Sequence, residues 1–185
     1  MPILNSLKND DFKINHCDII KKDFNIEIKI DYSQSLKALE DLGIMEIADE
    51  IIEISAIATK ERQLFSQLNK MIDDWKTVKF ELEEFRDSEV YILKGLQNIW
   101  DLLDEHIQKT MIISSSPYAK YFLDEALFWK SRLVKVQDIL EEWSRVQRGW
   151  CYLWPIFSSP DIQTQLPEVF QTFATMDKLW RMVMT

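Results

Sequence analysis

Four polar side chains sit close enough in sequence to suggest chemistry: Asp101, Asp104, Glu105 and His106. Asp101 and Glu105 are four residues apart and share a helix face, the placement that carboxylate metal sites use. Such sites also require a Glu-x-x-His pair and a second helix supplying the same, and neither occurs in this chain. His16-Cys17, His106 and Cys151 are the remaining metal-ligating types. Their scatter lacks zinc-ligand spacing, so the simpler reading is a capping or surface histidine, a partly buried helical histidine and two ordinary thiols. Ser114-Ser115-Ser116 precedes Pro117 rather than lying in a glycine-flanked nucleophile elbow. Gly43, Gly95 and Gly149 stand alone, so no run of glycines can bring backbone amides onto a phosphate. No catalytic residue, metal ligand or cofactor-binding residue is assigned, and the paired acids Asp73-Asp74, Glu83-Glu84 and Glu141-Glu142 read as solvated surface.

The elements that would position such groups are helices. The chain has 185 residues, 46% hydrophobic and 29% charged, with three glycines and five prolines. That composition is too apolar for disorder and too poor in turn residues for a β-sandwich. Lys and Arg number 22 against 31 Asp and Glu, for a formal charge of −9. An acidic chain is poorly suited to phosphate backbones or anionic lipid, so neither nucleic acid nor membrane is expected as a partner. Two cysteines cannot build a disulfide framework, and no apolar run approaches the roughly 18 residues that span a bilayer. A soluble, intracellular protein is expected.

Residues 1–32 form a weakly periodic lead-in, in which Asn25 to Ile30 alternates polar and apolar as a short strand or an extended segment would. From residue 33 the period becomes helical. A 3,4 spacing selects Ile44, Ile47, Ile51, Ile54, Ala58, Glu61, Phe65, Leu68, Ile72 and Trp75, with Glu61 the one polar member. This predicts one long helix, with further turns upstream at Leu36, Leu39 and Leu42 and a possible kink at Gly43. Val78 to Leu93 shifts to period 2 around Arg86-Asp87-Ser88-Glu89, which predicts a β-hairpin over about residues 78–93. Leu96 to Ile113 returns to helix, burying Ile99, Trp100, Leu103, Ile107 and Met111. Ser116 and Pro117 open another helix whose stripe runs Phe122, Ala126, Trp129, Leu133, Val136, Leu140, Trp143, Gln147 and Trp150. Cys151 to Phe157 is a dense aromatic corner in which Pro155 should end the helix. Ser159-Pro160-Asp161 begins the last helical region, with Pro167 kinking or restarting it and Phe170, Phe173, Met176, Leu179 and Trp180 facing inward.

The fold class expected is therefore mainly α: an elongated antiparallel helical bundle with an inserted hairpin, 33–185 forming one module truncated at its C-terminal end. Trp75, Trp100, Trp129, Trp143, Trp150, Phe173 and Trp180 are the expected core, because large aromatics at helical spacing are normally buried. Tyr152, Trp154 and Phe157 are the corner residues. Layers of such mixed volume suit a globular bundle better than the uniform seam of a two-stranded coiled coil, and a monomer is expected.

Trp75-Lys76-Thr77-Val78-Lys79-Phe80-Glu81-Leu82, Tyr91-Ile92-Leu93-Lys94-Gly95 and Tyr152-Leu153-Trp154-Pro155-Ile156-Phe157-Ser158-Ser159-Pro160-Asp161-Ile162 resemble the linker region of dynein heavy chains. Leu166-Pro167-Glu168, Phe173, Asp177 and Trp180 follow in family spacing, and the likeness runs from about His16 to the end. Trp154 stands where the family mostly has Glu, Cys17 follows His16 where Trp is common, and Val169-Phe170 replaces a more usual Glu-Gly. The resemblance implies Tyr152, Trp154 and Phe157 as ring-docking residues, with Trp154 replacing the polar contact that a Glu would make to the motor ring. Ser-Ser-Pro-Asp and Leu42-Gly43 look more axonemal than cytoplasmic.

The resemblance implies a mechanical role: the tail-side part of a lever lying across a ring of AAA+ modules and converting ATP-driven changes into minus-end-directed microtubule motility. The segment would not be catalytic; ATP and Mg would bind elsewhere in the parent chain. Its partners would be the AAA+ ring of the same chain and, through the parent, the tail with intermediate and light chains. Its place would be the cytoplasm and cytoskeleton, and the axoneme of a cilium or flagellum if axonemal. The alternative is a free-standing helical adaptor recruiting partners through the stripe from Ile44 to Trp75.

Overall fold

The computed structural model describes residues 2–28 and 36–184. The chain is mainly α-helical with one antiparallel hairpin. It divides into two compact units, Met1–Ile72 with Ile112–Ala126 and Asp73–Met111 with Leu127–Thr185. None of the described helices is long and apolar enough to cross a membrane.

In the first unit the lead-in is helical: α1 spans Pro2–Leu7 and α2 spans Ile14–Phe24. Asn25, in the left-handed region at φ 56°, closes α2 by donating its N–H to the Lys21 carbonyl. Asn25 to Ile28 carry neither helix nor strand, while Lys29 and Ile30 of the expected alternation lie outside the described residues. α3 is Leu36–Asp41 and α4 is Ala48–Thr77. Gly43 therefore ends a helix rather than kinking one. At φ 79° it donates its N–H to the Glu40 carbonyl, and Ile44 donates to the Leu39 carbonyl, the pair of bonds that defines a Schellman stop. Ile44 and Ile47 lie in the turn before α4, yet both are buried with Ile3, Phe12, Cys17, Ile20, Ile28, Ile51 and Ile54.

In the second unit β1 (Glu81–Glu84) pairs with β2 (Tyr91–Lys94), Glu81 opposite Lys94 and Glu84 opposite Tyr91. Arg86 and Glu89 take positive φ in the turn between them, where Ser88 Oγ donates to the Phe85 carbonyl and accepts the Val90 N–H. α5 runs Gln97–Ser115. The end of α5 and the segment after it return to the first unit, where Ser116 caps by accepting the Tyr118 N–H and Pro117–Phe122 winds as a 3-10 helix before α6, Leu123–Phe157. Pro155 does not end α6, which continues two residues to Phe157. The missing N–H costs the helix one bond, the one it would make to the Cys151 carbonyl, and only two residues follow Pro155 before the helix ends. α7 is Pro160–Gln165, and Pro167 starts α8, Pro167–Met184.

Within this unit Ile99, Leu103, Leu133 and Leu140 form one core, with Trp75, Trp100 and Trp129 packed against it. Val90, Trp150, Phe157, Phe173 and Trp180 form another, bordered by Phe85, Trp143 and Trp154. Two inward expectations fail: Met111 is 49% exposed and Leu179 is 56% exposed. On α5 Thr110 and Ile113, on either side of Met111, are buried instead, and on α8 Trp180, one position on from Leu179, is buried.

Candidate functional site

The acidic cluster on α5 does not converge. Asp101 accepts from Gln97 at 2.8 Å, Asp104 accepts from Gln137 at 3.2 Å, and Glu105 pairs with Lys109. Its Lys109 partner holds the Glu105 carboxyl below the usual range. His106 points away from these groups and is buried, its Nδ1 accepting the Trp75 indole N–H at 3.0 Å. Burial is the main influence on its imidazole and lowers its affinity for a proton; Glu105 and Asp74 oppose this and Lys109 adds to it. Among the described residues no group of three or more His, Cys, Asp or Glu side chains could hold a metal ion. Burial also pushes both thiols, Cys17 and Cys151, above their ordinary value, which disfavours the reactive thiolate.

His16 is a capping histidine but not a surface one, being only 2% exposed. Its Nδ1 accepts the Lys13 N–H at 2.9 Å, so the proton sits on Nε2 and is donated to Glu61 at 3.0 Å. This pair, a buried histidine on a half-buried carboxylate, joins α2 to α4. Asn9 reinforces it nearby, donating to the Ser55 hydroxyl and the Thr59 hydroxyl, both at 2.9 Å.

The densest constellation is the aromatic corner. Trp150 is fully buried; it lies 5.4 Å from Phe85 and 6.1 Å from both Trp154 and Trp180, centroid to centroid. Phe157 stacks on Phe173 at 4.8 Å, and Trp143 meets Trp180 edge-on at 5.6 Å. Of the three corner candidates, Phe157 belongs to the core, Trp154 is half-buried against Phe85 and Trp150, and only Tyr152 presents its ring to solvent, 72% exposed. Among the core candidates Trp150, Phe173 and Trp180 are buried, whereas Trp75, Trp100, Trp129 and Trp143 are partly covered.

Polar ties lock the corner to the hairpin. The Gln147 amide spans the backbone of β2, its Oε1 accepting the Leu93 N–H at 2.9 Å and its Nε2 donating to the Leu93 carbonyl at 2.8 Å. Trp150 donates its indole N–H to Asp177 at 2.8 Å, Asp177 accepts from Arg181 at 2.8 Å, and Arg181 donates to the Ser88 carbonyl at 2.7 Å. One chain of bonds thus joins α6, α8 and the hairpin turn. Gln147, Phe85, Ser88 and Arg181 were not among the candidates read from the sequence. Gln147 had a signal: a polar residue on an otherwise apolar stripe must have a partner if it faces the core.

This arrangement offers no nucleophile beside a base. What it offers is rigidity, since interlocked aromatics and satisfied hydrogen bonds resist bending.

The family described as dynein heavy chain, N-terminal region 2, matches residues 1–185. The chain is 32% identical over 184 residues to dynein axonemal heavy chain 1 of Rattus norvegicus and 34% identical over 185 residues to dynein axonemal heavy chain 3 of Homo sapiens, each match covering all of this chain. It is 37% identical to dynein axonemal heavy chain 12 of Rattus norvegicus over 154 residues, 83% of this chain. It spans only 4% of the length of the first two relatives and 5% of the third.

Proposed function

This chain belongs to the dynein heavy chain family, in its N-terminal region 2, and we propose that it works there as a mechanical linker segment. In this role it carries force between an ATP-hydrolysing ring and the tail of a heavy chain, toward minus-end-directed movement on microtubules. Because the relatives named above are axonemal heavy chains, the axoneme of a cilium or flagellum is its proposed location. ATP and Mg are proposed to bind elsewhere in the parent chain, and the proposed partners are its own ring and, through the parent, intermediate and light chains. The carrying observation is the corner in which Gln147 and the Trp150–Asp177–Arg181–Ser88 chain tie α6 and α8 to the hairpin. A force-bearing segment needs such ties, because stacked helices held by apolar contact alone can slide.

The adaptor alternative is less favoured by burial of most of its stripe. Of the stripe from Ile44 to Trp75 through which it would recruit partners, Ile44, Ile47, Ile51, Ile54, Ala58 and Leu68 are buried within the chain, and Phe65, Ile72 and Trp75 are half-buried.

The test separates force from turnover. In the parent heavy chain, Gln147→Leu is expected to slow microtubule gliding while ATP hydrolysis persists. Unchanged gliding, or ATP hydrolysis by the 185-residue chain alone, would overturn the reading.

A further inference from the structure

Buried on α5, His106 stands between two neighbours on α4 within the second unit. Its Nδ1 accepts the indole N–H of Trp75 at 3.0 Å. Its Nε2 lies 4.0 Å from a carboxylate oxygen of Asp74, the residue before that tryptophan. An indole can only donate, so the contact with Trp75 requires an Nδ1 without a proton and leaves the single proton of the neutral ring on Nε2. A proton added at Nδ1 sets two donors face to face across that 3.0 Å. The same proton turns the approach to Asp74 into an attraction between opposite charges.

The surroundings are balanced between the two states. Burial favours the neutral ring and Lys109 adds to that, whereas Glu105 and Asp74 favour the cation. Glu105 and Lys109 are engaged with each other on α5, and on α4 Lys76 is engaged with Asp73. From α6 the members of the adjoining core are the apolar Trp129, Leu133 and Val136. The Asp74 side chain is 46% exposed, so its carboxylate meets the ring without giving up its water. α4 ends three residues later, at Thr77, and the negative end of its dipole also favours a cation there. We propose that His106 is a proton-operated joint between α4 and α5: neutral, it holds α4 through Trp75, and protonated, it releases the indole and holds α4 through Asp74. One tie forms as the other breaks, so the joint exchanges its partner instead of opening.

The proposal is independent of the linker role, and its test follows the nitrogen-15 signals of indole and imidazole in the 185-residue chain. The titration runs from about pH 7.5 to about pH 5, across the ordinary histidine range. The Trp75 indole signal, identified by its loss in Trp75→Phe, is expected to move with the same midpoint as the His106 ring while the other indole signals stay in place. Asp74→Asn, at a half-exposed position, should lower that midpoint, because the protonated ring loses its new partner. Trp75→Phe should raise the midpoint of the imidazole, because the neutral ring loses its old one. Each shift should be about half a unit, a roughly threefold change in proton affinity. A Trp75 indole that stays in place while His106 titrates, or a midpoint untouched by Asp74→Asn, would overturn the proposal. So would a ring that takes up no proton in this range, or indole signals that all change together as the unit unfolds.

Discussion

The two units solve the same problem with different materials. In the first, seven of nine members of the buried cluster are isoleucine, and specificity comes from polar pairs, His16 with Glu61 and Asn9 with Ser55 and Thr59. The second holds all seven tryptophans, and its hydrogen bonds include side chain to hairpin backbone, the Trp150–Asp177–Arg181 chain and the indole of Trp75 on His106. β-Branched aliphatics pack in few rotamers and say little about which helix lies where, so a buried polar pair supplies the register. Large planar rings interlock in a limited number of ways and supply their own. The cost of the aromatic solution is visible: the buried indole N–H groups of Trp129, Trp143 and Trp180 find no acceptor.

Replacing single residues tests this contrast, and tryptophan emission reads the second unit alone. Trp150→Ala should have the largest effect, about 3–5 kcal/mol, because it empties the centre of the aromatic core and leaves Asp177 without its indole donor. Ile51→Val in the aliphatic core should cost only about 1 kcal/mol by chemical denaturation. If the two losses are similar, the aromatic corner is not the stiffer packing.

His16→Ala should cost about 2 kcal/mol, since it removes the donor to the partly solvated Glu61 carboxylate and the acceptor for the Lys13 N–H. The comparable change in the second unit, Gln147→Leu, should cost about 2 kcal/mol, because two backbone groups of Leu93 lose their partner. Losses near zero at both positions would mean that apolar packing alone sets register in each unit.

Glycine changes should run in opposite directions. Gly43→Ala should destabilise by about 1 kcal/mol, because φ 79° is strained for any residue with a Cβ although the space is open. Gly149→Ala, inside α6 with nothing within 4 Å of the new methyl, should stabilise by about 1 kcal/mol. Thermal midpoints of the two variants moving the same way would contradict the cap assigned to Gly43.

The smallest effect expected is on pH dependence. The buried His106 gives up its proton more readily folded than unfolded, so its contribution is complete above the ordinary histidine range and is lost as pH falls. The emission-detected midpoint should therefore decline between about pH 7 and pH 5, and His106→Asn should flatten that decline. A steeper decline in the variant would reverse the sign and place the charged form in the native state.

Much of this fold is legible in the residue order, and two exceptions in it were the most informative. Glu61 and Gln147 each interrupt an apolar stripe. In the structure each has a long-range partner, His16 for one and the backbone of Leu93 for the other. The stripes themselves identify α4, α5, α6 and α8 because burial demands a 3.6-residue period whatever the neighbours are. Helix ends were less legible. Gly43 and Pro155 carry local signals for a stop, but whether a glycine kinks or terminates depends on which carbonyls its neighbours reach. Pro155 removes one bond, to the Cys151 carbonyl, and the packing of the corner carries the helix two residues past it. α1 and α2 escaped because short helices owe their stability to tertiary packing rather than to their own periodicity.

The sequence by itself determined the helical class, the hairpin between α4 and α5, the aromatic corner and the family to which the chain belongs. All four rest on local periodicity, turn chemistry or a specific run of residues, and these need no knowledge of what lies far along the chain. Only the tertiary structure decided that His16 is buried against Glu61, that Leu179 faces outward, and that Arg181 reaches the turn at Ser88. Partners separated by 45 or 93 positions, as the first and last of these are, leave no periodic trace in the chain. Which half-apolar face of a helix is covered depends on where its neighbours come to rest.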